Sequence, residues 1–546
     1  MTTSCSMGGE GGGRWVTRRV GLAITLAGLA VGSVTACRDA SRDDLDGLAD
    51  YIRASMADWD LPGLAVAVVH GDEVVFAEGF GVKELGRDDP VDEHTLFQIG
   101  SVSKSFGAAA IGALVDDGLV DWDDPVVEHL PWFRVKDPEA TRRMTIRDLL
   151  AHTSGMPGDA FPVLAVMGGR EVAERARLLD NFGVPGEGHS YSNHGYGVAG
   201  LVVEAVTEKG WGEWVRERLF DPLEMRDSRA SPFEVWDGPF VAPTFLGTAP
   251  AGTPGIADAP GKNVAMPHGV DRDGERRVLS WQSYDNMQAA GSVVSSAAEM
   301  ANWLRMQLAG GRFGGRAVLG EATVAEMHAP LVDAGTSFIF ADSAAGTYGL
   351  GWSRTTFEGR VHISHGGGIF GFPAYAAMLP EIGAGVVVLA NGSLWTPYYP
   401  HHEIAARVFA HLLGAEPRDW HGTVMERTGA ILEQVERTLA AQDSARVDGT
   451  SPTRPIKEYV GRYADIHGAG HAVVEEAAGG RLRLHFGEPG TFSGDMEHWN
   501  HDVFRLYFDG GDGQAYGSSF ATFTVEPVAG VTAVDLGFMG QYRRVR

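Results

Sequence analysis

Apolar residues recur at helical spacing at Leu45, Leu48, Ala49, Ile52 and Met56, which predicts a helix over residues 45–58. Two apolar runs follow, 64–70 and 73–80, joined by Gly71-Asp72, a hairpin signal. A long mixed region from about 95 to 345 predicts helices over 104–117, 144–151, 195–207 and 297–309. Strand-like runs return at 361–364, 373–379 and 385–390, and a helix is expected over 402–414. Strands thus stand at both ends of this unit and helices in its middle. That order predicts an α/β fold in which early and late parts of the chain complete one sheet around an inserted helical layer.

Residues 419–450 are charged and helically patterned (Val424, Ile431, Leu432, Val435, Leu439) and end in Asp448-Gly449-Thr450-Ser451-Pro452, a connecting helix and linker. Beyond Pro455 the texture changes to short alternating runs at 472–474, 482–486, 503–508, 521–525 and 533–538, separated by Gly-rich turns. That pattern predicts a small all-β domain, barrel or sandwich. The expected division is a targeting segment at 1–36, the main unit at 43–418, a connector at 419–454 and the β-domain at 455–546.

The first segment reads as an address. Arg14, Arg18 and Arg19 precede a run at 20–36 that is apolar or small throughout, a positive stretch followed by a hydrophobic one. It closes on Val34-Thr35-Ala36-Cys37, which resembles a bacterial lipobox. The resemblance implies cleavage before Cys37, lipidation of Cys37 and a location in the cell envelope, on the periplasmic or cell-surface side. A plain secretory signal and an uncleaved anchor helix are the alternatives. Thr17-Arg18-Arg19 adds a weak twin-arginine hint.

The formal net charge is −26, with no dense Lys/Arg cluster in the body of the chain, so nucleic acid is not an expected partner. The only cysteines are Cys5 and Cys37, which excludes a disulfide-built body. No His/Cys/Asp group has metal-ligand spacing, and no cofactor is required. His401-His402 reads as a helix start, and His467 and His471 as flanks of a hairpin turn.

Three motifs carry chemistry. In Gly100-Ser101-Val102-Ser103-Lys104, Ser101 stands at the start of a predicted helix, and a residue three positions on shares its face. A serine hydroxyl needs a base, and a buried lysine near a helix N-terminus can be held neutral enough to serve. Backbone N–H groups at the helix start can stabilise an oxyanion. In Ser190-Tyr191-Ser192-Asn193, Tyr191 offers a phenol for proton transfer and Asn193 an amide for substrate. Tyr284-Asp285-Asn286 repeats the pattern, but only Tyr191 falls on a Gly-rich turn before a helix. In Ser364-His365-Gly366-Gly367-Gly368, a strand end followed by bare glycines lets a substrate backbone lie close.

Phe97-Gln98-Ile99-Gly100-Ser101-Val102-Ser103-Lys104, Tyr191-Ser192-Asn193 and His365-Gly366-Gly367, in this order, resemble the serine β-lactamase-related family. That family includes class C β-lactamases, DD-peptidases, D-aminopeptidases and family VIII esterases. Supporting pieces are Leu149-Leu150-Ala151-His152-Thr153-Ser154-Gly155, Tyr348-Gly349-Leu350-Gly351-Trp352 and Val387-Val388-Leu389-Ala390-Asn391. The resemblance implies an α/β sandwich on an antiparallel sheet with a helical domain. It makes Ser101 the acylated nucleophile, with Lys104 and Tyr191 sharing its proton in an order left open. Asn193, His365, Gly366 and Gly367 would bind substrate, and the N–H groups of Ser101 and Gly368 would form the oxyanion hole. His152 is expected to be a structural anchor. β-Lactamases usually carry lysine where this chain has His365, a residue mostly neutral at pH 7. The expected activity is therefore hydrolysis of small esters or peptides, including D-amino-acid peptides, rather than efficient β-lactam hydrolysis. A penicillin-binding sensor or scaffold is the alternative. The tail, with Tyr459-Val460-Gly461-Arg462-Tyr463 and Glu497-His498-Trp499, resembles a small β-barrel appended to such hydrolases, and the oligomeric state is left open.

Overall fold

The computed structural model describes residues 45–545, apart from 46, 157–167, 180–182, 236–261, 271–274, 280, 282, 370, 393–399, 467–470, 487–492, 509–518 and 538–539. The candidate targeting segment and Cys37 lie outside the described residues.

The hairpin predicted near the start forms from β1 (Gly63–His70) and β2 (Glu73–Gly81), and Gly71 takes φ +63° at its turn. Six later strands complete the sheet: β3 (Val332–Asp333), β4 (Thr347–Tyr348), β5 (Ser353–Phe357), β6 (Arg360–Ile369), β7 (Phe372–Leu379) and β8 (Ala384–Ala390). Their order is β2-β1-β8-β7-β6-β5-β4-β3, and each pairing is antiparallel. β1 pairs with β8 in register Val66 to Val388, so the first strand closes against the last. This is the sheet shared between chain ends that the sequence predicted.

From Leu64 to Val69 β1 is apolar at every position because both its faces are covered. Ala65, Ala67 and Val69 enter one core, and Leu64, Val66 and Val68 enter the other. Full burial of each such valine contributes about 1.5–3 kcal/mol. Helices α1 (Leu48–Asp58) and α6 (Pro400–Leu413) belong to the second core. The first core holds α2 (Ser103–Asp116), α4 (Asn193–Thr207) and α5 (Ala297–Leu308). It also takes in the short α3 (Ile146–Leu150), where Thr145 and Asp148 form a reciprocal capping box. Inserted between β2 and β3, these elements form the helical layer. Almost every residue of α2 is buried, from Ser103 to Leu114, so this helix runs through the core rather than over it.

Two expectations needed correction. The strand predicted at 361–364 continues to Ile369, taking the three glycines into the sheet. The β-domain has more strands than its alternating runs suggested: eight, from Gly461–Asp465 to Gln541–Arg544, close into a barrel. Strands such as Ser493–Asn500 lack a clean apolar alternation, because a closed barrel supplies the pairing for them. His471 opens a strand, whereas His467 lies outside the described residues. Helix α7 (Trp420–Ser444) links the parts: the Arg427 guanidinium donates to Ile339 O at 2.7 Å, and Arg505 pairs with Asp443 at 2.7 Å.

Candidate active site

Ser101 sits in a 3-10 turn, Gly100–Val102, that runs directly into α2. Hydrogen bonds lace this turn in place. Trp303 Nε1–H donates to Ser105 Oγ at 3.2 Å, and Ser105 Oγ–H donates to Val102 O at 2.8 Å. Val293 N–H donates to Ser103 Oγ at 3.0 Å, and Ile99 N–H donates back to Val293 O at 3.0 Å. Glycines bring β6 against the same turn. A Cβ on Gly367 would stand 2.0 Å from Ile99 O, and one on Gly100, at φ +50°, 2.6 Å from Gly368 N. The Gly368 N–H therefore lies beside the turn that carries Ser101, while Gly366 and Gly368 themselves are open.

Lys104 follows one turn along α2 and is fully buried. Its Nζ lies 3.1 Å from Ser101 Oγ and 2.9 Å from Ala290 O, and it also bonds Asn193 Oδ1. An ammonium has three protons and finds three acceptors here. A neutral amine would keep two N–H bonds to the carbonyl oxygens and turn its lone pair to the Ser101 hydroxyl. One set of partners thus accommodates both protonation states.

Asn193 is placed by the start of α4, where Ser192 is the N-cap and its Oγ accepts from Gly195 N–H. The Tyr191 ring stands 4.8 Å from Lys104 Nζ, and the residue is 38% exposed, open toward solvent. The second Tyr-x-Asn has another place: Asp285 accepts from Ser231, just ahead of the short helix Gln288–Gly291 that carries Ala290.

His365 is buried at the β6 edge with both ring nitrogens engaged. Nδ1 lies 2.6 Å from Gly366 O and Nε2 2.9 Å from Tyr348 Oη. A carbonyl only accepts, so Nδ1 carries the proton and Nε2 accepts from the Tyr348 hydroxyl. Burial, then the charge of Lys104, push its pKa down to about 3. His365 is therefore a neutral, fully committed imidazole.

The sequence reading thus placed Ser101, Lys104, Tyr191, Asn193, His365 and the Gly366 to Gly368 run in one site. It passed over three partners. Tyr348 lay within a quoted motif, but its bond to His365 depends on β4 lying two strands from β6. His189 has its ring 5.6 Å from both Tyr348 and His152, and nothing in its sequence context marks it. The Ala290 carbonyl is backbone and leaves no sequence signal. Among the described residues no group of His, Cys, Asp or Glu is arranged to hold a metal ion.

This fold, with a serine, a buried lysine and a tyrosine meeting at a glycine-lined strand, is that of a serine hydrolase. The chain belongs to the Beta-lactamase family, whose model matches residues 48–411, and a domain of unknown function, DUF3471, matches 445–544. Unguisins hydrolase ungD of Aspergillus violaceofuscus (strain CBS 115571) is 27% identical, over 77% of this chain and 75% of that protein. Penicillin-binding protein 4 of Amycolatopsis lactamdurans is 30% identical, over 65% of this chain and 85% of the relative. Among solved structures, the octameric penicillin-binding protein homologue from Pyrococcus abyssi superposes with TM-score 0.57 at 23% identity, covering 92% of this chain and 100% of that one. A D-stereospecific amidohydrolase from Streptomyces sp. gives TM-score 0.50 at 21% identity, over 68% and 99% of the two chains.

Proposed function

We propose that this protein is an exported hydrolase that cleaves ester or amide bonds, including those of D-amino-acid peptides, through an acyl-enzyme on Ser101. The observation that carries the reading is the seat of the buried Lys104 Nζ 3.1 Å from Ser101 Oγ, an acceptor that also has a proton to give. Ser101 Oγ attacks the carbonyl carbon while its proton passes to Lys104 Nζ. The oxyanion that forms faces the N–H groups of Ser101 and Gly368. Collapse expels the alcohol or amine, which leaves with a proton from the Lys104 and Tyr191 pair. Water then repeats the sequence on the acyl-enzyme and frees the acid.

His365 bears on substrate class. Its ring offers neither charge nor spare donor, so a carboxylate beside the scissile bond would find no cation there. Uncharged esters and amides suit this edge better. One relative is named as a hydrolase of unguisins, and one structural neighbour as a D-stereospecific amidohydrolase. The Val34-Thr35-Ala36-Cys37 motif supports export with a lipid on Cys37. The octameric neighbour makes self-association a matter for measurement.

The test is intact-protein mass after incubation with a fluorophosphonate, for wild type and Ser101→Ala. One adduct in wild type and none in the variant is the expected result. No adduct in either would remove the hydrolase reading and leave a binding module.

A further inference from the structure

The acyl-transfer reading above requires Tyr191 to be held beside Lys104, and the present inference rests on it. We propose that His152 is the positioning residue for the Tyr191 loop, working as a neutral hydrogen-bond acceptor and not as an acid or base.

Three ties run from His152 to this loop. Its carbonyl accepts from Ser190 N–H at 2.8 Å, and its Nδ1 accepts from Ser192 N–H at 3.0 Å. Its ring packs at 4.2 Å, tilted, against the Tyr191 ring between them. Tyr191 is therefore gripped on both sides and underneath by a single residue. That residue is in turn anchored to α3. Thr153 N–H donates to Asp148 O at 3.0 Å and Thr153 Oγ1–H to Asp148 Oδ1 at 2.7 Å, and Asp148 closes the α3 capping box. The backbone pays tribute to the arrangement: His152 has φ +61°, a left-handed conformation that few side chains adopt.

Because Nδ1 accepts, the ring proton sits on Nε2, which is buried without a partner among the described residues. Protonation would set a second N–H against Ser192 N–H and break the grip. Lys104 from α2, His189 from the loop and His365 from β6 oppose it as well, while the rings of Tyr191, Tyr196 and Tyr348 pack around the imidazole. Burial first, then the Lys104 charge, hold the imidazole well below its usual pKa.

Asparagine is the informative replacement. It tolerates the left-handed backbone, and its Oδ1 can stand where Nδ1 does. Steady-state hydrolysis of a nitrophenyl ester by the full chain compares wild type, His152→Ala, His152→Asn and His152→Gln. A misplacement near 1 Å at a reacting group costs on the order of a hundredfold. His152→Ala should thus lower kcat by about tenfold to a hundredfold with KM within about twofold. His152→Asn should recover to within about threefold of wild type, and His152→Gln, whose acceptor lies one bond further out, should not. Wild-type kcat in His152→Ala would overturn the proposal. So would a folded His152→Asn, by urea midpoint, that is as slow as His152→Ala, since the ring's own chemistry would then matter. Fluorophosphonate labelling of wild type separates the two claims. Labelled enzyme with an indifferent His152 sinks only this inference, whereas unlabelled wild type sinks the hydrolase reading beneath it.

Discussion

Replacing Gly367 by alanine isolates the close approach that holds the nucleophile. The added Cβ would stand 2.0 Å from Ile99 O, where ordinary contact begins near 3.4 Å, so the turn or the strand must yield by about 1.4 Å. Ile99 is two residues from Ser101, and β6 is fixed by its pairing with β7 from Ile363 to Ile369. The turn, being the lighter element, is the part that moves. A displacement near 1 Å at a reacting atom costs on the order of a hundredfold in rate, and overpacking costs roughly 1–3 kcal/mol in stability. Gly429→Ala, in helix α7, is the control, because its Cβ would meet nothing within 4 Å. The assay is kcat/KM on a nitrophenyl ester beside the urea midpoint of each variant. The expected result is a Gly367→Ala protein that folds but loses about a hundredfold in kcat/KM, with Gly429→Ala within about threefold of wild type. Equal activity in the two variants would refute the reasoning, since the added atom is the same and its surroundings differ.

Three further outcomes follow from the same geometry. An aryl ester with a neutral leaving group, such as methyl 3-hydroxybenzoate, should be cleaved about tenfold or more faster than its 3-hydroxybenzoate counterpart, measured as kcat/KM. A preference for the carboxylate would overturn the reading of His365. Behind the sheet, His362 is buried with both ring nitrogens unpartnered among the described residues and its ring stacked 4.2 Å from Phe338, and burial pushes its pKa to about 3. The unfolded chain takes up this proton near pH 6.5 and the folded chain does not, so stability is full above pH 6.5 and falls as pH drops toward 3. His362→Phe should remove about 2 kcal/mol of the loss between pH 7.5 and 5, read from urea midpoints, and an unchanged pH slope would count against it. Tyr459→Phe removes a buried hydroxyl that bonds Asp502 and accepts from Arg454 N–H at 3.2 Å, and should cost the barrel about 1–3 kcal/mol in thermal unfolding.

Much of the site was legible because its members are local patterns. A serine and a lysine three positions apart on a helix, a tyrosine and an asparagine at a helix start, and a glycine run beside a histidine each survive as strings. Periodicity exposed the β1–β2 hairpin and the buried strands β7 and β8, since strands covered on both faces must be apolar throughout. Ser493–Asn500 was missed because it alternates poorly and owes its place to neighbours on each side. β6 was cut short because glycines carry no strand propensity of their own.

The sequence by itself determined which chemistry is available: a nucleophile, an amine and a phenol, a β-edge without a fixed cation, and a separate β-domain. Only the tertiary structure decided how those groups are charged and held. The Nζ of Lys104 is seated by Asn193 and Ala290, residues 89 and 186 positions away. The Nε2 of His365 finds its donor in Tyr348, 17 positions off and two strands away. The acceptor role of His152 depends on a loop 40 positions downstream. Hydrogen-bond partners and desolvation fix a proton's place, and both depend on what surrounds a residue in space, most of it brought there by the fold.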